Sequence, residues 1–148
     1  MNKAFVRESD DVAPRCPGCD SPGQEVLRDT LAAQLSAEQR LGLTESAWFC
    51  GFDRCEVVYF DAFGRSVNTS QLARAIWPKD PAAPLCPCFG LTAAEIEQDL
   101  AEGGVARTRE CVRRAQSTEA RCTLTNPSGQ SCVAEVQRYY MRRKAERG

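Results

Sequence analysis

The fold of the first half of the chain depends on two cysteine pairs, Cys16-Pro-Gly-Cys19 and Cys50-Gly-Phe-Asp-Arg-Cys55. Proline and glycine inside the first pair favour a tight turn, which can aim both sulfurs at one metal ion. The second pair spans a predicted turn between two predicted strands, residues 48–50 and 56–60. Four thiolates at about 2.3 Å form a closed tetrahedral zinc site, and metal binding supplies folding free energy to a small domain. We therefore predict a structural zinc ion held by Cys16, Cys19, Cys50 and Cys55.

The same residues leave other interpretations open. The four cysteines could be buried as small hydrophobic side chains, and Asp20 or Asp53 could replace one sulfur ligand. A catalytic zinc site is disfavoured because neither a histidine nor an open fourth ligand position is apparent. A zinc ribbon that binds nucleic acid is also disfavoured, because residues 1–104 contain 9 Lys and Arg against 16 Asp and Glu.

Composition excludes several classes of protein. The 148 residues contain 9 cysteines and 0 histidines. Without histidine the chain has no Ser-His-Asp or Cys-His catalysis, no Cys2His2 finger and no Rieske centre. It also lacks a phosphate-binding loop and a nucleotide-binding fingerprint, so we expect that it is not an independent enzyme.

The cysteines indicate metal binding rather than disulfide bonds. An odd number of cysteines fits a closed disulfide framework badly, and the charged start of the sequence lacks the apolar core of a secretory signal. No apolar run approaches the roughly 18 residues that span a bilayer. We expect a cytoplasmic protein without membrane insertion, either a monomer or a weak dimer.

A proline-rich segment, Trp77-Pro-Lys-Asp-Pro-Ala-Ala-Pro84, separates the two groups of cysteines. Such a segment cannot continue a helix or a central strand. We therefore predict an α+β protein with two domains. A β-rich zinc domain of treble-clef or zinc-ribbon type occupies residues 1–80, and an all-helical domain occupies residues 85–148. Residues 29–40 favour a short helix, and residues 72–76 are ambiguous between helix and strand.

Three helices are predicted in the second half. Thr92-Ala-Ala-Glu95 has the capping-box pattern, and Gly103-Gly104 ends the helix that it begins. Apolar spacing indicates a second helix over residues 105–115 and a third from Ser131 onward.

The second half has its own cysteine pattern. Cys86-Pro-Cys88 is too short for an ordinary zinc knuckle, but it suits two thiolates on one iron of a cluster. The pair leads directly into the capped helix, whose first N–H groups can stabilise negative sulfur. Cys122 follows 34 residues after Cys88, and Cys132 follows 10 residues later. The turn Asn126-Pro-Ser-Gly129 precedes Cys132, and its amides could also point at sulfide.

These motifs resemble a known family. Cys86-x-Cys88-Phe-Gly-Leu-Thr, with Cys122-x9-Cys132 and the segment Asn126-Pro-Ser-Gly-Gln, resembles the cluster domain of CopZ-type copper chaperones. That domain is similar to bacterioferritin-associated ferredoxin, a helical [2Fe–2S] module. The two cysteine pairs of the first half, followed by Glu-Val-Val-Tyr-Phe60, resemble the zinc-binding portion that precedes the cluster domain in those proteins. The combined resemblance covers about residues 14–138.

The resemblance implies a fold and a set of ligands. It implies one zinc ion on the four cysteines of the first half, and an extended strand over residues 72–76. It also implies one [2Fe–2S] cluster on Cys86, Cys88, Cys122 and Cys132. CopZ-type chaperones continue into a copper-binding domain with its own C-x-x-C pair, whereas this sequence has no cysteine after Cys132.

Cys111 has no ligand role in this resemblance. It lies beside Thr108, Val112 and Ala115 in the second predicted helix, so we expect a half-buried helix residue. A substitute cluster ligand and a thiol for a transferable metal are the alternatives.

Function follows from the two predicted metals. Residues 105–148 contain 10 Lys and Arg against 4 Asp and Glu. This positive charge could be a solvated helix face, or it could lie near the cluster and favour its reduced state. We expect one-electron transfer or metallochaperone activity in copper or heavy-metal homeostasis, with heavy-metal-handling proteins or a redox partner. The alternative is a ferredoxin-like adaptor whose metals are structural and which docks a partner protein. A zinc-only nucleic-acid binder is the least favoured interpretation.

Overall fold

A four-stranded antiparallel sheet forms the centre of the first half. The computed structural model describes residues 14–44 and 46–147. The strands are neighbours in chain order, and each pairs antiparallel with the next. They are β1 (Gln24–Val26), β2 (Ala47–Phe49), β3 (Val57–Phe60) and β4 (Ser66–Asn68). The predicted strands around residues 48–50 and 56–60 are thus confirmed within a residue or two, with the predicted turn between them.

Strand β3 connects the hydrophobic core to the first cysteine pairs. Its four residues are all buried. Val58 and Tyr59 pack in a cluster with residues of the other strands, whereas Val57 and Phe60 pack with Cys16 and Cys50. The hydrophobic effect that buries this strand therefore also holds the cysteines of the first half in place.

Two details of the first half differ from the sequence-based expectations. Residues 29–40 form two helices, α1 (Arg28–Gln34) and α2 (Ala37–Leu41), because Ser36 starts a new helix with a capping box to Gln39. The expected strand over residues 72–76 is wrong. A 3₁₀ turn, Thr69–Gln71, precedes this segment, and Leu72 and Ile76 pack against the sheet core instead of extending the sheet.

The second half is helical, as predicted. It contains α3 (Ala93–Ala101), α4 (Ala106–Ala115), α5 (Cys122–Thr125) and α6 (Val133–Arg147). The capping box is present, since Thr92 Oγ1 accepts from the Glu95 N–H and the Glu95 carboxylate accepts from the Thr92 N–H. The mixture of sheet and helices confirms an α+β protein.

The two halves are in direct contact. Helices α1 and α5 pack together, and Thr30 Oγ1 donates to the Thr123 carbonyl at 2.5 Å. The buried Tyr59 hydroxyl donates to the Pro127 carbonyl. Trp77 lies in the proline-rich segment, and its indole N–H donates to the Glu135 carboxylate at 3.2 Å. The predicted boundary between two domains, at residues 80–85, stays a prediction.

Candidate metal centres

The four cysteines of the first half converge on one point. Their sulfurs lie within 4.8 Å of one another, and we call Cys16, Cys19, Cys50 and Cys55 the first thiol group. Cys16 Sγ lies 3.7 Å from Cys55 Sγ, and Cys19 Sγ lies 3.6 Å from Cys50 Sγ. A tetrahedral zinc ion with Zn–S bonds of about 2.3 Å requires sulfurs about 3.8 Å apart. The spacing of these thiols therefore fits zinc.

Backbone geometry at the first pair brings the sulfurs together. The Gly18 N–H donates to Cys16 Sγ at 3.3 Å. A Cβ atom at Gly18 would lie 3.1 Å from Cys55 Sγ and 3.0 Å from Val57, so glycine permits the close approach of the two pairs. Although burial opposes ionisation, hydrogen bonds with Ser21 and contacts with Cys50 and Cys55 lower the pKa of Cys19 to about 6.

A cation from the proline-rich segment also reaches the first thiol group. Lys79 Nζ lies 3.4 Å from Cys50 Sγ and donates to the Phe52 carbonyl at 2.7 Å. Four thiolates around Zn²⁺ carry a net charge of −2, so a cation at this position offsets part of that charge. Asp20 and Asp53 are both exposed, and the group of potential ligands found among the described residues includes neither.

In the second half, three buried cysteines come together. The sulfurs of Cys86, Cys111 and Cys132 lie within 4.8 Å of one another. Cys86 begins a tight turn in which the Gly90 N–H donates to the Cys86 carbonyl at 2.7 Å, with Gly90 at a φ of +78°. Cys132 directly precedes α6, and its carbonyl accepts from the Val136 N–H.

The other two cysteines of this half lie beside this trio and are only half-buried. Cys88 Sγ lies 2.7 Å from Thr125 Oγ1 and accepts from the Arg121 N–H at 3.2 Å. Burial and the neighbouring Cys88 thiol raise the pKa of Cys122, against a hydrogen bond from the Cys132 backbone. We call these five residues the second thiol group: Cys86, Cys88, Cys111, Cys122 and Cys132.

Electrostatics in the buried trio are dominated by the thiols themselves. Hydrogen bonds from Cys111 and Cys132 lower the pKa of Cys86 well below its usual value. Although a hydrogen bond with Cys132 opposes it, contact with Cys86 and burial raise the pKa of Cys111 to about 12. Metal binding to these thiols would release their protons.

The structure brings all four cysteines predicted for the cluster into one region, and it adds Cys111. Soft thiolates, with backbone N–H donors to Cys86, Cys88 and Cys122, are a suitable donor set for an iron–sulfur cluster. Which four thiols would bind a cluster stays a prediction. Cys111 was expected to be half-buried and is almost fully buried, on the same helix face as Thr108 and Ala115. That 3–4 spacing was the signal for its inward direction.

Many of the basic side chains after residue 104 are paired locally. Six arginines form ion pairs: Arg107 with Asp99, Arg113 with Glu110, Arg114 with Glu119, Arg138 with Glu135, and Arg143 and Arg147 with Glu97. The Arg114 guanidinium lies over the ring of Phe89, 4.5 Å from the ring centroid. Phe89 directly follows Cys88 in the sequence. The positive charge is therefore mainly a solvated helix surface, with Arg114 near the second thiol group.

Comparison with known proteins agrees with this arrangement. Residues 13–73 match the family model zf_CopZ, described as a zinc binding domain, and this range contains the whole first thiol group. The first half is therefore a zinc-binding region with a four-thiol site. No helix among residues 14–44 and 46–147 has the length and apolar character needed to cross a membrane.

Two similar proteins extend the likeness to the second half. The "Copper chaperone CopZ" of Archaeoglobus fulgidus is 25% identical over 127 residues, which is 84% of this chain and 60% of that relative. The X-ray structure of the Archaeoglobus fulgidus CopZ N-terminal domain is 26% identical with a TM-score of 0.69, and the match covers 84% of this chain and 95% of that one. The chain is thus similar to a CopZ-type amino-terminal region.

Proposed function

We propose that this chain is a two-metal protein with a structural zinc ion in the first half and a [2Fe–2S] cluster in the second. The observation that carries the proposal is the presence of two separate all-thiol groups, only one of which has four mutually close sulfurs. The spacing of the first group suits a single tetrahedral ion. The second group extends from a buried trio to a half-buried pair, which suits a larger centre. Its proposed ligands are Cys86, Cys88, Cys122 and Cys132.

A bound cluster of this kind would supply reversible one-electron transfer. The chain's own residues shape its surroundings. Cys86 and Cys132 hold the buried side, while the Arg121 N–H donates to Cys88 on the half-buried side. Thr125 Oγ1 lies against the same sulfur. A partner can therefore approach the centre from the side of Cys88 and Cys122 without opening the helical core.

The metal context is proposed from the likeness to a copper chaperone. The chain spans about 60% of the length of that curated relative, so its role as part of a longer chaperone is a proposal. We propose that it acts in the cytoplasm in copper or heavy-metal handling, as a metallochaperone or an electron-transfer protein rather than an independent enzyme. Its partners are metal-handling or redox proteins.

We also propose the finer fold assignments. The sheet and the two cysteine pairs support a treble-clef or zinc-ribbon-like domain over residues 1–80. The capped helix after Cys88 and the turn before Cys132 support a helical domain of bacterioferritin-associated-ferredoxin type over residues 85–148.

The test is metal analysis with a visible absorption spectrum of anaerobically purified protein. The proposal predicts one zinc and two irons per chain and a red-brown colour from thiolate-to-iron charge transfer. Colourless protein that contains zinc alone would reject the cluster. Protein without zinc but with intact iron would reject the assignment of the first thiol group.

A second candidate is an adaptor with structural metals that docks a partner. The contact between α1 and α5 favours it, because a rigid two-part body suits docking. Reversible reduction and reoxidation of the cluster, followed in the visible spectrum, distinguishes the two. A cluster that is lost on reduction favours the adaptor.

A further inference from the structure

We propose that Cys111 is a reserve ligand for the cluster site, able to take the place of Cys132. The inference rests on the proposed function, since it concerns a cluster on the second thiol group. Cys111 lies within 4.8 Å of both Cys86 and Cys132, and all three side chains are buried. The Cys111 thiol therefore lies next to two of the proposed cluster ligands.

Helix α4 holds Cys111 rigidly in this place. The buried Asp99 carboxylate accepts from both the Thr108 N–H and the Thr108 hydroxyl at 2.8 Å, and Arg107 donates to it at the same distance. These bonds fix the first turn of α4, and Cys111 follows Thr108 by three residues on the same face. The sulfur is therefore aimed by the fold and does not depend on a flexible loop.

Position decides which ligand Cys111 can replace. Cys132 stands at the start of α6, on the buried side of the site, where Cys111 is already its neighbour. Cys122 lies beside Cys88, and neither of these two residues belongs to the trio of mutually close sulfurs. Cys111 can thus replace Cys132 but not Cys122.

The exchange is a simple ligand substitution. With a cluster bound, the exchange would break one bond between an iron and the Cys132 sulfur and form one bond between that iron and the Cys111 sulfur. The Cys111 thiol gives up its proton and the released Cys132 thiolate takes one up, so the charge of the site and the oxidation state of the irons stay the same. In a chain that lacks the Cys132 sulfur, solvent accepts the Cys111 proton during assembly.

The experiment compares single and double variants of the full chain, purified anaerobically. We expect Cys111→Ala to keep its iron, and Cys132→Ala to keep most of its iron with a changed visible spectrum. The double variant Cys111→Ala/Cys132→Ala should contain at least about tenfold less iron than Cys132→Ala. The matched controls are Cys122→Ala and Cys111→Ala/Cys122→Ala, which should be equally poor in iron. Zinc content reports that each variant has folded, and Cys132→Ser replaces Cys132→Ala if the latter does not fold.

Three results would overturn the inference. If Cys132→Ala contains as little iron as the double variant, Cys111 cannot substitute for Cys132 as a ligand. Cys111→Ala without iron shows that Cys111 is a primary ligand. Rescue of Cys122→Ala by Cys111 contradicts the assigned geometry. If the wild-type chain itself contains zinc but no iron, the proposed function fails and this inference fails with it.

Discussion

The two thiol groups differ in number and in burial. The first contains four sulfurs, all mutually close, and the second contains five, of which three are close and two stand to one side. A closed set of four leaves no position for exchange, whereas a larger set with a half-buried side leaves one sulfur over and one face accessible. Similar cysteine content therefore suits a structural role in one half and a reactive role in the other.

The largest expected effect is the loss of the zinc site. Cys16→Ser removes one of four ligands, so we expect zinc content to fall strongly and the first half to lose several kcal/mol of stability, on the order of a structural metal's contribution. Metal analysis and thermal unfolding measure this. Cys88→Ser is the control, because it removes a thiol from the second group and should reduce iron while zinc remains. Equal loss of iron in both variants with zinc intact in both would contradict the partition.

A smaller effect is expected at Asp99, which anchors α4. Asp99→Asn keeps the shape but removes the charge that Thr108 and Arg107 bind, at a cost of about 1.5–3 kcal/mol in the free energy of unfolding. Denaturant unfolding measures it. Glu102→Gln is the control, since Glu102 also binds Arg107 but is exposed, and it should change stability little.

The same carboxylate predicts a pH dependence. Although burial disfavours the charged carboxylate, hydrogen bonds from Thr108 and Arg107 lower the pKa of Asp99. A lowered folded-state pKa contributes stability that is present above the unfolded value of about 3.9 and is lost as pH falls through the folded value. Wild-type stability should therefore fall more steeply below about pH 4 than that of Asp99→Asn. Parallel curves for the two proteins would contradict this role.

A further, weaker effect is expected at Lys79. Lys79→Met removes the cation beside Cys50, so a chelator should remove zinc faster, by about tenfold or less. Arg54→Met is the matched control, because Arg54 is exposed and adjoins Cys55 in sequence. Unchanged zinc release in Lys79→Met, or equal acceleration in the control, would show that the contact does not stabilise the site.

The smallest effect is expected on the half-buried side of the second group. Thr125→Val removes the hydroxyl that lies 2.7 Å from Cys88 Sγ and donates to the Arg121 carbonyl at 3.0 Å. We expect this hydroxyl to donate to the Cys88 thiolate when a cluster is bound. Hydrogen bonds to sulfur raise the reduction potential of a cluster, so we expect the reduction potential of Thr125→Val to be lower than that of the wild-type protein. The shift should be on the order of 20–60 mV, since one hydrogen bond contributes about 0.5–1.5 kcal/mol. Potentiometric titration measures it, and Thr123→Val is the control because Thr123 is exposed. A rise in potential would contradict the assignment.

Local patterns predicted more than long-range ones. The knuckle around Gly18, the turn from Cys50 to Cys55 and the capping box at Thr92 are set by a few neighbouring residues, and each lies where the sequence indicates. Strand β4 was not predicted and a strand over residues 72–76 was, because strand formation depends on pairing with β3 and on burial of Leu72 and Ile76.

The environment of Cys111 shows the same limit. Its inward direction was readable from helical spacing, but its neighbours were not, because Cys86 and Cys132 are brought to it by the packing of three separate segments.

The contact between α1 and α5 has a consequence for the order of assembly. Thr30 donates to the Thr123 carbonyl, and Gln34 donates to the Leu124 and Thr125 carbonyls at 2.7 and 3.2 Å. These bonds cap the free end of the short helix that begins at Cys122. A helix of four residues is not stable alone. The first half is thus a template on which the Cys122 segment is completed, so we expect loss of zinc from the first thiol group to leave Cys122 less firmly held.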